Sequence, residues 1–180
     1  MTVIVPCDYS QTKAATMAIA DYSGPVYLRF GRPVWPIFTS DKPFEIGKAQ
    51  VFSEGTDISI FACGHMVWKA IEAGRILEEK GVSVEVINLH TIKPLDTAAI
   101  LKSVQKTKCA VTAEEHNIIG GLGDAVAQTV AKNFPIPIEY VGTKDTFGES
   151  GIPEELLKKY GLDTPDIVAA AEKVIARKNK

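Results

Sequence analysis

Two arginines at one predicted strand end are the first groups in this sequence with the chemistry to bind a ligand. The 20 basic residues include only four arginines, and two of them, Arg29 and Arg32, lie at the end of a strand predicted over residues 26–30. Ligands of α/β proteins bind at the carboxyl ends of parallel strands, and a planar guanidinium pairs with phosphate or carboxylate through two hydrogen bonds. The pattern therefore indicates an anion site, with a salt bridge or an arginine stem packed on the sheet as the alternative.

A run of acidic residues, histidine and glycines at residues 114–123 is the second candidate. A predicted strand delivers two carboxylates and an imidazole to its carboxyl end, and a glycine-rich turn then begins a helix whose N–H groups could hold an anion or cap a carboxylate. The same side chains could perform acid–base chemistry. The run G-G-L-G is not the G-x-G-x-x-G of dinucleotide-binding proteins, however, and it follows a third strand rather than a first. We therefore favour a structural or interface role for Glu114, Glu115, His116, Gly120, Gly121 and Gly123.

The other polar groups match no known catalytic arrangement. His65, at the start of a predicted helix, caps that helix or binds an anion, and capping is the simpler role. His90 is predicted to lie in a strand-to-helix turn, and residues 143–151 in a solvated loop, with a site or an interface as the alternative. The cysteines are far apart and none pairs with a histidine at zinc-ligand spacing, so we expect reduced thiols and no metal site at Cys7, Cys63 and Cys109.

Composition restricts the classes of protein to which the chain can belong. Apolar residues make up 46% and charged residues 23% of the 180 positions, which is enough apolar surface for a core and too much for a disordered chain. With 20 basic against 22 acidic residues, the net charge of −2 argues against general nucleic-acid binding. The sequence has no long apolar run and does not open like a signal peptide. We therefore expect a cytoplasmic protein without a nucleic-acid or membrane partner.

Apolar runs of strand length alternate with amphipathic helices, which is the pattern of an α/β fold. From residue 57 onward the predicted strands are 57–63, 82–89, 108–113 and 136–141. Helices are predicted after Gly64, after Asp96, over 120–132, from Pro153 to Gly161, and from Thr164. Four strands interleaved with helices predict a three-layer domain, with a mostly parallel sheet and helices on both faces.

The first 56 residues have a different organisation. Residues 1–30 predict one strand–helix–strand unit, and two parallel strands cannot cover both faces of a sheet. We therefore expect the remaining strands of that unit to come from a partner chain or from a longer parent protein. Residues 31–56 are rich in proline and aromatic residues, which predicts a linker packed against the rest of the protein, with an edge strand or short hairpin near 48–52.

Four motifs occur in order along the chain: G-P-V-Y-L-R-F-G-R at 24–32, I-K-P-L-D at 92–96, E-E-H-N-I-I-G-G-L-G at 114–123 and F-G-E-S-G-I-P at 147–153. Each is weak alone, but at these spacings they resemble the C-terminal part of the transketolase family. The resemblance is greatest to the form that is made as separate N-terminal and C-terminal subunits. 1-Deoxyxylulose-5-phosphate synthase and the beta subunits of 2-oxo-acid dehydrogenases share the architecture and remain alternatives.

The resemblance implies a division of the chain into three parts. Residues 1–32 resemble the end of a thiamine-pyrimidine-binding domain, residues 33–56 a linker and edge strand, and residues 57–180 the transketolase C-terminal domain. Thiamine diphosphate and its divalent ion, Mg²⁺, would belong to the complete enzyme and be held by segments that precede Met1. The resemblance therefore implies that this chain alone binds no cofactor, carries no catalytic residue and is inactive.

The implied activity is transfer of a two-carbon ketol unit between sugar phosphates, as in the pentose phosphate pathway. The implied partners are an N-terminal transketolase section or subunit and, in a homodimer, a second copy. In the family, an arginine shortly after the Gly-Pro strand binds the phosphate of the substrate. Arg32 takes that position, and Arg29 is the second choice, because the local pattern departs from the family's serine-arginine-glutamine run. The alternatives are a non-catalytic dimerisation or regulatory module, and a thiamine enzyme that acts on a 2-oxo acid.

Overall fold

The computed structural model describes residues 1–178, so positions 179–180 of the predicted C-terminal domain lie outside the described residues. Its strands are β1 Thr2–Ile4, β2 Val26–Leu28, β3 Gln50–Ser53, β4 Ile58–Ala62, β5 Val84–Asn88, β6 Thr91–Lys93, β7 Ala110–Asn117 and β8 Ile138–Thr143. Its helices are α1 Tyr9–Ala20, α2 Met66–Glu79, α3 Thr97–Thr107, α4 Leu122–Asn133, α5 Pro153–Lys159 and α6 Thr164–Lys178. None of the helices among the described residues is both long enough and apolar enough to cross a membrane.

The larger sheet has five strands in the order β3-β5-β4-β7-β8. Four neighbouring strands, β5, β4, β7 and β8, are parallel to one another. The edge strand β3 is antiparallel to its neighbour β5. Every residue of β4 and β5 is buried, because helices cover both faces of the sheet. The apolar faces of α2 and α6 pack on one side, and those of α3 and α4 on the other. The predicted three-layer α/β fold with a mostly parallel sheet is confirmed.

A second, smaller sheet has the order β2-β1-β6, with β1 parallel to β2 and antiparallel to β6. The sequence analysis missed β6, and the prediction that His90 lies in a strand-to-helix turn was wrong, because β6 intervenes before α3. A three-residue strand followed by Pro94 is too short to produce a periodic pattern. Its pairing with β1 joins the first residues of the chain to the segment that follows β5.

The carboxylate of Asp8 holds the segment between the two sheets in place. Asp8 is 6% exposed, and its Oδ1 accepts hydrogen bonds from Gln11 N–H at 2.8 Å and from the Thr39 hydroxyl at 2.5 Å. Its Oδ2 accepts from the N–H groups of Phe38 and Thr39 at 2.7 and 2.8 Å. One side chain thus caps α1 and satisfies two backbone donors thirty residues away, which fixes the predicted linker against the helix.

We expect Asp8→Ala to lower the free energy of unfolding by about 2–4 kcal/mol, because it leaves buried donors unsatisfied as well as removing a helix cap. Urea unfolding followed by circular dichroism measures the change. The matched control is Asp41→Ala, since Asp41 lies in the same segment and is exposed. Equal stability of the two variants would contradict the role assigned to Asp8.

His90 is a fully buried histidine between β5 and β6. Its Nδ1 lies 3.0 Å from the Thr91 hydroxyl, its ring packs on Phe44 at 4.5 Å between centroids, and its buried Nε2 has no hydrogen-bond partner among the described residues. Burial lowers the pKa of His90 from 6.5 to about 4, against the smaller opposing effect of the Asp96 charge. The folded protein therefore keeps this imidazole neutral in a pH range where the unfolded chain protonates it.

We expect this difference to destabilise the protein progressively as the pH falls from about 6.5 to about 4, by about 3 kcal/mol in total. Urea unfolding at a series of pH values, compared between the wild type and His90→Phe, isolates this contribution from those of the carboxylates. The variant should lose that part of the acid dependence, whereas His116→Phe should keep it, because His116 is exposed. Parallel pH profiles for the wild type and His90→Phe would refute the prediction.

Candidate functional site

A cleft of about 390 Å³ lies where strand ends from both sheets meet. It is lined by residues 6–9, which follow β1, by residues 30–35, which follow β2, and by His65, which follows β4. Helices α1 and α2 also begin here, so their N-terminal ends add positive potential. Carboxyl ends of strands and amino ends of helices form the edge at which α/β proteins bind ligands.

The two candidate arginines have different surroundings. Arg32 is exposed, lines the cleft, and makes no hydrogen bond or ion pair with any of residues 1–178. Arg29 is half-buried, and its Nη1 donates to the carbonyl oxygen of Glu115 at 2.8 Å. The structure therefore places Arg29 in a contact between the two sheets, while the guanidinium of Arg32 is available to a ligand.

His65 lies in the wall of the same cleft and is 6% exposed. Its ring stacks on Trp35, with centroids 4.4 Å apart and planes 13° from parallel. Its Nε2 lies 2.9 Å from Glu115 Oε2 without making a hydrogen bond to it. His65 occupies the N-cap position of α2, but its side chain caps no N–H group. The favoured prediction of a capping role was therefore wrong, because the ring turns towards Trp35 and Glu115 instead.

Glu114 caps the glycine-rich start of α4. It is 2% exposed, and its two carboxylate oxygens accept hydrogen bonds from Leu122 N–H at 2.7 Å and Gly123 N–H at 2.8 Å. Burial raises the pKa of Glu114, and the two N–H donors partly oppose that effect. Of the two uses proposed for these N–H groups, the structure shows the cap: the chain's own carboxylate occupies the place where an anion would bind.

The run at 114–117 does not gather its side chains into one catalytic group. Successive residues of β7 point to opposite faces, so Glu114 is buried at the start of α4 while Glu115 faces His65. His116 is exposed, with Nδ1 2.8 Å from Asn117 O and 4.0 Å from Glu114 Oε2. The exposed loop over residues 144–152 lies beside this strand end, joined to it by a hydrogen bond from Asn117 to Asp145 at 3.0 Å.

The cysteines are buried free thiols, Cys7, Cys63 and Cys109. Burial is the main reason that the pKa values of all three thiols are raised, to about 12 for Cys63 and about 11 for Cys109. They are therefore protonated and poorly nucleophilic at neutral pH. Within residues 1–178, no three His, Cys, Asp or Glu side chains lie together in a way that would hold a metal ion.

Sequence reasoning missed Trp35 and the use of Asp8 at this cleft. Trp35 belongs to a linker that was predicted to pack against the rest of the protein, with no role at a site, yet it lines the cleft and stacks on His65, thirty residues further along the chain. The hydrogen bonds that Asp8 accepts from residues 38 and 39 had no sequence signal. The one available sign was the unusual number of aromatic residues in a segment of linker composition.

Comparison with known proteins identifies the family. The sequence profile for "Transketolase, C-terminal domain" matches residues 47–167. The chain belongs to the transketolase C-terminal domain family. A solved structure described as "Split gene transketolase, inactive beta4 tetramer" is similar to this domain and the segment before it, with a TM-score of 0.95 and 45% identity over 99% of this chain and 59% of that one.

Curated relatives extend the comparison. This transketolase-family chain is 44% identical over 180 residues to the 6-deoxy-6-sulfo-D-fructose transketolase subunit SqwH of Clostridium sp. (strain MSTE9), which covers 99% of this chain and 56% of that protein. It is 38% identical over 173 residues to an apulose-4-phosphate transketolase subunit of Phocaeicola vulgatus, which covers 95% of this chain and 55% of that protein. The chain thus spans little more than half the length of these relatives.

The glycine-rich turn of this transketolase-family chain does not fit the diphosphate of a thiamine diphosphate. The segment whose glycines and helix start would suit a diphosphate is 121–123, and Glu114 already accepts hydrogen bonds from Leu122 and Gly123 there. A second anion at this position would face a buried carboxylate. We therefore assign no step of a thiamine reaction to these residues.

The Glu114 cap predicts a specific role for Gly121. A Cβ at Gly121 would overlap Glu114 Oε2, whereas a Cβ at Gly148 would meet nothing within 4 Å. We expect Gly121→Ala to lower the free energy of unfolding by about 2–4 kcal/mol, as a small-to-large change beside a buried charged hydrogen bond, and Gly148→Ala to change it by less than about 0.5 kcal/mol. Thermal or urea unfolding measures both. Comparable stability of the two variants would contradict the prediction, because it would mean that the Glu114 carboxylate can move aside without loss of stability.

Proposed function

We propose that this chain is the C-terminal part of a thiamine-diphosphate-dependent transketolase that transfers a two-carbon ketol unit between sugar phosphates. The observation that carries the proposal is the unpartnered guanidinium of Arg32, among the described residues, in a cleft at the strand ends of both sheets. Family membership and the names of the relatives, both of them transketolase subunits, support it. In the complete enzyme, thiamine diphosphate with Mg²⁺ supplies the chemistry that accepts and passes on the two-carbon unit.

In this proposal Arg32 orients the substrate and takes no part in bond making. A guanidinium in a partly enclosed cleft binds the phosphate of a sugar through paired hydrogen bonds, and this holds the reacting end of the sugar at a fixed distance. Arg29 is less suited to that role because one of its amino groups is bound to the Glu115 carbonyl. No residue of this chain is assigned to catalysis, and the isolated chain is proposed to be inactive.

The proposed partners are an N-terminal transketolase section or subunit and a second copy of this chain, in the cytoplasm. Among the described residues, strand β2 pairs only with β1 at the edge of the small sheet, so one row of its backbone donors and acceptors remains for another strand. Tyr27 and Phe30, on and just after this strand, are more than half exposed. The similar solved chain is described as an inactive tetramer of beta chains, which supports both self-association and the need for another section.

A second candidate function is that of an assembly module without a part in substrate binding. The loops at the ends of β7 and β8 favour it, because they carry exposed apolar side chains at Ile119, Phe147 and Ile152. Such residues on adjacent loops are typical of a contact surface. Full activity of the N-terminal partner in the absence of this chain would support the assembly module and exclude the first proposal.

Under the first proposal, Arg32→Ala should raise KM for ribose 5-phosphate about tenfold or more in the reconstituted enzyme, with little change for ribose. The physical reason is that only the phosphorylated acceptor loses a charged hydrogen-bond partner. Steady-state kinetics with the two acceptors measures the difference. Equal losses for both acceptors would refute a phosphate-binding role.

Two further variants make the test selective. Arg75→Ala removes an exposed arginine of α2 outside the cleft and should leave both acceptors unaffected. Arg29→Ala should affect both acceptors similarly, because it disturbs the contact with Glu115 and not the phosphate site. A phosphate-selective loss in Arg29→Ala, without one in Arg32→Ala, would transfer the role to Arg29.

A further inference from the structure

A second groove, of about 290 Å³, lies between α2 and the segment that precedes β4, and it shares no lining residue with the cleft. Three aromatic side chains line it, Phe38, Phe52 and Trp68. The ring centroid of Phe38 lies 5.5 Å from that of Phe52, edge to face, and 5.5 Å from that of Trp68. All three side chains are only half-buried, so the groove offers aromatic surface to a ligand.

The aromatic side chains come from elements that hold them in place. The N–H of Phe38 donates a hydrogen bond to Asp8 Oδ2 at 2.7 Å. Phe52 lies on β3, which pairs with β5, and Trp68 lies in the first turn of α2. The aromatic surface is therefore formed before any ligand arrives, which lowers the entropic cost of binding.

The polar part of the groove consists of one cation and one anion. Arg75 and Glu78 line it from α2, and neither side chain makes a hydrogen bond or ion pair with any of residues 1–178. Residues three apart on a helix are neighbours, with Cβ atoms about 5–6 Å apart. The hydroxyl of Ser53, which also lines the groove, is already bonded to the backbone of β5. A guanidinium and a carboxylate thus remain available next to the aromatic surface.

We propose that this groove binds a free amino acid with an aromatic side chain. The ligand's ring packs on Phe38, Phe52 and Trp68, its carboxylate pairs with Arg75, and its ammonium pairs with Glu78. Both polar contacts are charge-assisted hydrogen bonds, and the guanidinium suits a carboxylate through two parallel bonds. Because the groove and the cleft have no lining residue in common, the inference does not depend on the function proposed for the cleft.

Charge complementarity selects a free amino acid over other ligands. An aromatic acid without an amino group would pair with Arg75 but give Glu78 no cation. The C-terminus of a peptide has the same deficiency, and the N-terminus of a peptide would pair with Glu78 but give Arg75 no carboxylate. A sugar phosphate would place a second negative charge near Glu78 and would not fill the aromatic surface. Only the free amino acid carries all three groups at close spacing.

Calorimetric titration of the full protein that carries residues 1–180 tests the class of ligand. We expect phenylalanine to bind about tenfold or more tightly than each of three analogues that lack one group. These are phenylalaninamide, which has no carboxylate, N-acetylphenylalanine, which has no cation, and alanine, which has no ring. Equal affinities for phenylalanine and any one of these analogues, or no heat of binding with millimolar phenylalanine, would overturn the proposal.

Two substitutions assign the contacts to their side chains. Arg75→Ala should weaken phenylalanine about tenfold and leave phenylalaninamide unchanged, whereas Glu78→Gln should weaken phenylalanine and should not weaken N-acetylphenylalanine. Both residues are exposed, so neither change removes a buried contact. The matched control is Glu79→Gln, an exposed residue of α2 that does not line the groove. Variants that bind phenylalanine like the wild type, or that lose phenylalanine and its analogue equally, would overturn the proposal.

Tryptophan fluorescence locates the bound amino acid, because the chain has only two tryptophans, Trp35 and Trp68. In Trp35→Phe the remaining indole lies in the groove, and phenylalanine should shift its emission saturably. In Trp68→Phe the remaining indole lies in the cleft, and its emission should not change. A shift seen only with Trp35, or with neither tryptophan, would contradict binding in the groove.

Discussion

Two backbone hydrogen bonds of Val5 hold the two sheets together, and the cleft depends on them. The Val5 N–H donates to the carbonyl of His90 at 2.7 Å, and its own carbonyl accepts from Gly64 N–H at 3.1 Å. Gly64 suits this contact because its φ is +58° and a Cβ would lie 3.2 Å from Val5 Cγ1. Since Val5 follows β1 and Gly64 follows β4, these bonds bring strand ends of both sheets to one place. Arg32 and His65 consequently line a single cleft.

Carboxylates around this junction serve mainly to stabilise the fold. Asp8 caps α1 and holds residues 38 and 39, while Glu114 caps α4. Their negative charges face backbone N–H groups. Arg32 has no comparable partner within residues 1–178, so the cleft keeps an available cation next to two helix N-termini. The carboxylates have partners and the guanidinium of Arg32 has none, and this local difference makes the cleft suited to an anion, although the net charge of the chain is −2.

Much of the architecture could be predicted from local patterns. The apolar runs of β4 and β5 and the one-sided apolar faces of the helices gave the three-layer α/β fold, and four ordered motifs gave the family. Prediction failed where a strand was short or polar. The three residues of β6 carried no periodic signal, and β7 continues to Asn117, beyond the predicted end at 113, because its polar end pairs with Thr143 of β8. The three-part division of the chain stays a prediction.

The sequence by itself determined the alternation of strands and helices, the family, and the set of polar residues at strand ends, because each depends on residue types within a short window. Only the tertiary structure decided how those residues are used. Arg29 contacts Glu115, Glu114 caps the helix that an anion would otherwise approach, and His65 stacks on Trp35. Glu114 and Leu122 are eight residues apart, Trp35 and His65 thirty, and Arg29 and Glu115 eighty-six. Hydrogen bonds depend on distances of a few ångströms, which local residue patterns do not specify.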